Sequence, residues 1–205
     1  MAAAMTTSNT LLETFQPRTR TARLVGNIVL VVLGTALLTL SAKFSVPVWP
    51  VPVTLQTAAV AALAAAFGWR IGVATVAAYI LEGLAGLPVF AGAVAGPAYL
   101  LGPTGGFIVS WLAMAAIIGV AADRGLSRRM LPLFAVMLLG DAVSFAVGYG
   151  WLVTVLASLK GVGIGDVLGS AFDGAIKPFV VWDILKMALA AVTISAAWAA
   201  FRKRA

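Results

Sequence analysis

Two residues of opposite charge, Asp183 and Lys186, stand inside an otherwise apolar run, V-W-D-I-L-K-M. Three positions apart, they fall on one face of a helix and can pair with each other. A charged side chain near the centre of a bilayer costs roughly 2.5 to 3.5 kcal/mol on insertion scales, so it is retained for a reason. One reason is a neutralised pair that locks helix packing. The other is a pocket that offers an acceptor and a cationic donor to a small molecule carrying N–H groups and a carboxylate. A buried pair stabilises poorly compared with apolar packing, which favours the pocket. Asp141, in L-L-G-D-A-V, has no partner within one helical turn; it is a candidate to face a ligand, to pair, or to carry a proton. Gln56, at the start of an apolar run, can line a pocket or hydrogen-bond a neighbouring helix. Glu82, in Y-I-L-E-G-L, can snorkel or cap a loop.

Other chemistry is narrowed by what the chain lacks. It has no cysteine and no histidine, which removes disulfides, thiolate and imidazole metal ligands, a cysteine nucleophile and the usual proton shuttle. Ser41, Ser110 and Ser144 with the carboxylates leave an intramembrane enzyme as a remote class, for there is no G-x-S-x-G. Neither a catalytic residue nor a metal or cofactor is therefore expected. There is also no G-x-x-x-x-G-K-[ST] loop to cradle nucleotide phosphates, so ATP-driven work would need partner subunits. A purely structural or assembly subunit is a further class, distinguished by failing to bind a ligand.

The elements that must position these residues are membrane helices. Of the 205 residues, 62% are hydrophobic and 10% charged, far from the composition of a soluble domain. At roughly 20 apolar residues per span, the length accommodates about six helices. The expected architecture is an all-α bundle of six transmembrane helices: residues 24–42, 54–67, 71–86, 105–122, 131–159 and 174–201. The second is short, as for a tilted or buried helix. Residues 1–23 read as a cytoplasmic tail, against the alternative of a cleaved leader lacking an A-x-A site, and residues 24–205 as one domain.

The net charge of +7 does not form a basic face for nucleic acid; the basic residues cluster beside apolar runs. With the amino terminus inside, six spans put Arg18, Arg20, Arg23, Arg70, Arg124, Arg128, Arg129, Arg202, Lys203 and Arg204 in the cytoplasm, against Lys43 and Lys160 outside. Adding or removing one span breaks that asymmetry. The outer loops, around 43–53, 87–104 and 160–173, are rich in proline and glycine. Pro47, Pro50, Pro52, Pro88, Pro97 and Pro103 suit either ordered lids over a cavity or tight turns. On the first helix, Gly34, Leu38 and Ala42 recur every four residues, as do Thr35 and Thr39, a stripe able to meet a partner subunit or a neighbouring helix of the same bundle. The alanine run 58–66 is open to the same two uses.

V-P-V-T-L-Q-T at Val51–Thr57, G-L-P-V-F at Gly86–Phe90, G-P-T-G-G at Gly102–Gly106 and the D-x-x-K at Asp183–Lys186 occur in that order. In combination they resemble the BioY family, the biotin-binding S component of energy-coupling-factor (ECF) transporters, over residues 30–200. The resemblance implies a six-helix bundle in the bacterial cytoplasmic (inner) membrane, both termini cytoplasmic, with a loop-covered, outward-facing biotin site. It implies that Asp183 accepts from the ureido N–H groups with Lys186 as its partner or a ligand contact, that Gln56 hydrogen-bonds the ligand, and that Phe90, with Tyr99 beside it, forms apolar wall. It also implies a coupling membrane subunit and two ATPase subunits, or for some members solitary operation; another vitamin as substrate and a proton-coupled carrier are the alternatives. Where the family pattern has glycine followed by asparagine, this chain has Gly140 and Asp141.

Overall fold

A computed structural model describes Thr10 and residues 19–202. The expected tail, 1–23, lies mostly outside the described residues. Its last four residues are helical instead, because Thr19 caps α1 (Arg20–Lys43) by accepting from the Ala22 N–H at 3.3 Å.

The elements that follow are β1 (Ser45–Val46), β2 (Val53–Thr54), α2 (Gln56–Leu84), α3 (Pro97–Leu101), α4 (Gly105–Asp123), a 3-10 turn at Leu126–Arg128, α5 (Met130–Lys160), α6 (Ile164–Ala175) and α7 (Lys177–Arg202). Five of these helices are long and apolar enough to cross a membrane: α1, α2, α4, α5 and α7. The sixth span is inside α2. Gly68 has φ +83° and ψ 176°, outside the helical region and open to glycine at little cost. The chain reverses there: a Cβ placed on Gly72 would lie 3.0 Å from the Ala64 Cα, although a continuous helix would separate these residues by about 12 Å. The first arm, Gln56–Phe67, has 12 residues and reaches only about 18 Å. It is too short to face lipid along a full bilayer, and the helix is mostly buried within the bundle.

The small-residue stripe of α1 is used inside the chain. Gly34, Thr35, Leu38, Ser41 and Ala42 are buried, and a Cβ on Gly34 would strike the Thr75 side chain of α2. Alanines 59, 61 and 64–66 are likewise core, packed with Val60, Met114, Ile118 and Met187.

The two ends differ. One carries Arg70, the turn with Arg124, Arg128 and Arg129, and the carboxyl-terminal end of α7; there the Ser127 hydroxyl donates to Ala65 O at 2.7 Å and Arg128 lies 5.0 Å from the Trp198 ring centre. The other carries the three proline- and glycine-rich connections, and two of them hold regular secondary structure. Residues 45–54 form a small antiparallel hairpin, Ser45 opposite Thr54 and Val46 opposite Val53, a minor β element in the all-helical fold. The segment expected as a loop at 160–173 is largely α6, which buries Val167, Ala171 and Ala175 while the Gly163 N–H is bound by Asp166 Oδ2 at 3.0 Å. That helix displaces the start of α7 from the expected 174 to Lys177.

Candidate functional site

Helix spacing assembles the site. On α7, Phe179, Asp183 and Lys186 recur at four and three residues; on α5, Asp141, Ser144 and Phe145 do so at three and four; on α4, Phe107 and Trp111 are four apart. Each set occupies one face of its helix. The three faces, with Thr57 at the start of α2, line a cavity of about 50 Å³ at the proline-rich end. Val51, Pro52 and Thr54 of the hairpin close it. The hairpin rests on α6, for a Cβ on Gly174 would lie 2.9 Å from Pro50 Cδ.

Inside, Asp183 and Lys186 are 1% and 9% exposed and their Oδ1 and Nζ atoms lie 2.9 Å apart. The Thr57 hydroxyl donates to the same Oδ1 at 2.7 Å. A second carboxylate, Asp141, is 5% exposed, and its Oδ1 has no hydrogen-bond partner. Ser144, one turn on, is bonded to Ser110 across to α4 at 2.7 Å. The walls are aromatic, with Phe107, Phe145 and Phe179 meeting edge to face at 6.3 and 6.4 Å. The result is a mostly apolar pocket with a few polar groups at fixed positions, the pattern of a small-molecule site.

Of the expected site residues, Asp141, Asp183 and Lys186 line this cavity. Gln56, Phe90 and Tyr99 do not. They belong to a neighbouring buried cluster: the Gln56 amide donates to Tyr79 Oη at 2.7 Å, and Tyr79 donates to Val89 O at 2.8 Å. Phe90 stacks on Tyr99 at 4.7 Å and meets Tyr79 edge-on at 5.5 Å. Burial raises the Tyr99 phenol above its ordinary range, so it stays a neutral donor. Lys43 at the end of α1 donates to Phe90 O and Gly92 O at 2.8 and 3.1 Å, pinning the 86–96 connection. This cluster touches the cavity wall through Trp111, whose ring centre is 6.5 Å from that of Tyr79. Gln56 and Phe90 each contact Tyr79, and Tyr99 stacks on Phe90. Thr57, Phe107, Trp111, Phe145 and Phe179 escaped sequence reasoning; the four-residue aromatic spacing on α4 and the alignment of Phe145 and Phe179 with the acidic residues were the available signals.

Fold and site together define a polytopic helical membrane protein with a mostly apolar pocket, holding a few charged and polar groups, near one end of the bundle. The BioY family model matches residues 7–203. The biotin transporter BioY of Thermotoga maritima is 35% identical over 158 residues, 77% of this chain and 87% of that protein. Biotin transporter BioY2 of Lactococcus lactis is 33% identical over 126 residues, 62% of this chain and 69% of that protein. The fold matches the crystal structure of the S-component for biotin from an ECF-type ABC transporter with a TM-score of 0.73, covering 88% of this chain and 94% of that one at 24% identity. The chain belongs to the BioY family, a family of transporters.

Proposed function

We propose that this protein captures biotin at the proline-rich end of its bundle and delivers it across the membrane as the substrate-specific component of an ECF-type transporter. The observation that carries the reading is the Asp183–Lys186 pair, buried in the wall of a lidded cavity in a chain that belongs to the BioY family. Biotin is amphipathic, with a compact cyclic urea, an apolar sulfur ring and an anionic tail. The aromatic walls suit the rings, Asp183 suits a ureido N–H, and Lys186 balances its charge or meets a ligand oxygen.

Energy must come from elsewhere. With no phosphate loop in the sequence, ATP would be hydrolysed by two partner ATPases acting through a coupling membrane subunit. The charge asymmetry supports a single membrane domain with both termini and the arginine-rich end in the cytoplasm, and the cavity outside. The hairpin residues Val51, Pro52 and Thr54 form one wall of the cavity, beside its polar groups. A ligand entering from that end displaces the hairpin at Val51–Thr54 outward.

The test is accumulation of labelled biotin by biotin-auxotrophic cells expressing the protein with and without ECF coupling subunits. Uptake that depends on this chain and is abolished by Asp183→Ala supports the reading. Growth and uptake indistinguishable from cells lacking the chain would overturn it.

A further inference from the structure

The cavity holds two carboxylates and one ammonium group, and their hydrogen bonding is uneven. Both local donors, the Thr57 hydroxyl and the Lys186 ammonium, converge on Asp183 Oδ1. Among the described residues nothing donates to Asp183 Oδ2. Across the cavity, Asp141 Oδ1 is buried without a partner. A buried acceptor left unmade costs about 1 to 3 kcal/mol in an apolar setting, more for a charged one. The cavity thus presents two separate, unfilled carboxylate acceptors, one on α5 and one on α7, and its lone ammonium is already engaged.

The geometry points to Asp141 as a second ligand-binding and specificity-determining residue, one that accepts one N–H of a cyclic urea while Asp183 accepts the other. This rests on the biotin reading and deepens it: the pocket selects a ring with two unsubstituted N–H groups flanking a carbonyl, rather than any amphipathic acid. A ring with one N–H filled by alkyl or replaced by oxygen leaves one of the two acceptor oxygens, Asp141 Oδ1 or Asp183 Oδ2, without a donor, and is rejected for that reason. An asparagine at position 141 retains an acceptor oxygen and so preserves the contact.

The experiment is a cycle of ligands against variants. Equilibrium binding to the purified protein is measured for biotin and for its two isomers singly methylated on a ureido nitrogen, with the parent, Asp141→Ala and Asp141→Asn, each checked for a cooperative thermal transition. The expected pattern is specific. Asp141→Ala weakens biotin on the order of tenfold or more, yet binds one methylated isomer no worse than the parent does. Asp141→Asn still discriminates against that isomer. Additive losses in every cell of the cycle, or unchanged biotin affinity in Asp141→Ala, would overturn the assignment. If the folded parent fails to bind biotin, 2-imidazolidinone replaces it as the probe, with thermal stabilisation as the readout. Stabilisation of the parent but not of Asp141→Ala upholds the paired acceptors while the biotin reading falls. Absence of any stabilisation sinks both.

Discussion

Thr57 and Asp183 are 126 residues apart in the chain, yet the threonine hydroxyl donates to the carboxylate at 2.7 Å. This bond ties the start of α2, which follows directly on the hairpin lid, to the helix that carries the charged pair. It fixes the orientation of Asp183 through its Oδ1. Hydrogen bonds to charged groups are worth about 1.5 to 3 kcal/mol. Thr57→Val, nearly the same shape without the donor, is expected to weaken biotin binding by roughly ten- to a hundredfold with little change in fold. Titration calorimetry beside a thermal melt separates the two.

Lys186 and Asp183 compensate each other, so breaking the pair has a different signature from removing it. Lys186→Met alone leaves a buried carboxylate without its ammonium, which costs about 3 to 5 kcal/mol. A Lys186→Met, Asp183→Asn double variant removes both charges and is expected to recover most of the melting temperature but none of the binding. A single variant that melts like the parent would show that water or lipid headgroups reach the pair.

The lid can be locked chemically. The sequence contains no cysteine, and Gly174 approaches Pro50 across the hairpin–α6 contact. A Pro50→Cys, Gly174→Cys pair, oxidised, is expected to slow biotin entry strongly, with full recovery on reduction. Stopped-flow binding under both conditions reads this directly, and equal association rates would mean that the hairpin does not gate the cavity.

Gly68 makes the sixth span possible. Its φ of +83° is costly for a residue with a Cβ, on the order of 1 to 3 kcal/mol, and a Cβ there would also collide with the Asp123 side chain. Gly68→Ala is expected to lower the melting temperature in detergent while binding below that temperature is preserved, because the reversal lies at the end opposite the cavity. Loss of binding at full stability would contradict that separation.

The sequence carried the bundle because membrane helices announce themselves by composition. A boundary at 67 to 71 was legible from the glycine, tryptophan and arginine that interrupt two apolar runs. The charged pair was legible for the same reason: Asp183 and Lys186 are costly where they stand. Helix α6 was hidden because glycines at 165, 169 and 174 depress helix propensity, and tertiary burial of Val167, Ala171 and Ala175 overrides them. Gln56, Phe90 and Tyr99 lie in informative motifs, but which of two adjacent buried clusters they enter depends on how the 86–104 connection folds back onto α2. Thr57, the neighbour of Gln56, points into the cavity instead, a distinction of one residue in helical phase.

Equilibrium binding of labelled biotin to the purified protein, compared with Asp183→Asn and Lys186→Ala variants of verified fold, tests the central claim most directly. The account predicts tight, saturable binding by the parent and marked weakening in both variants. Undiminished binding by both would reduce the pair to a packing device, and a folded parent that does not bind biotin would contradict the assignment itself.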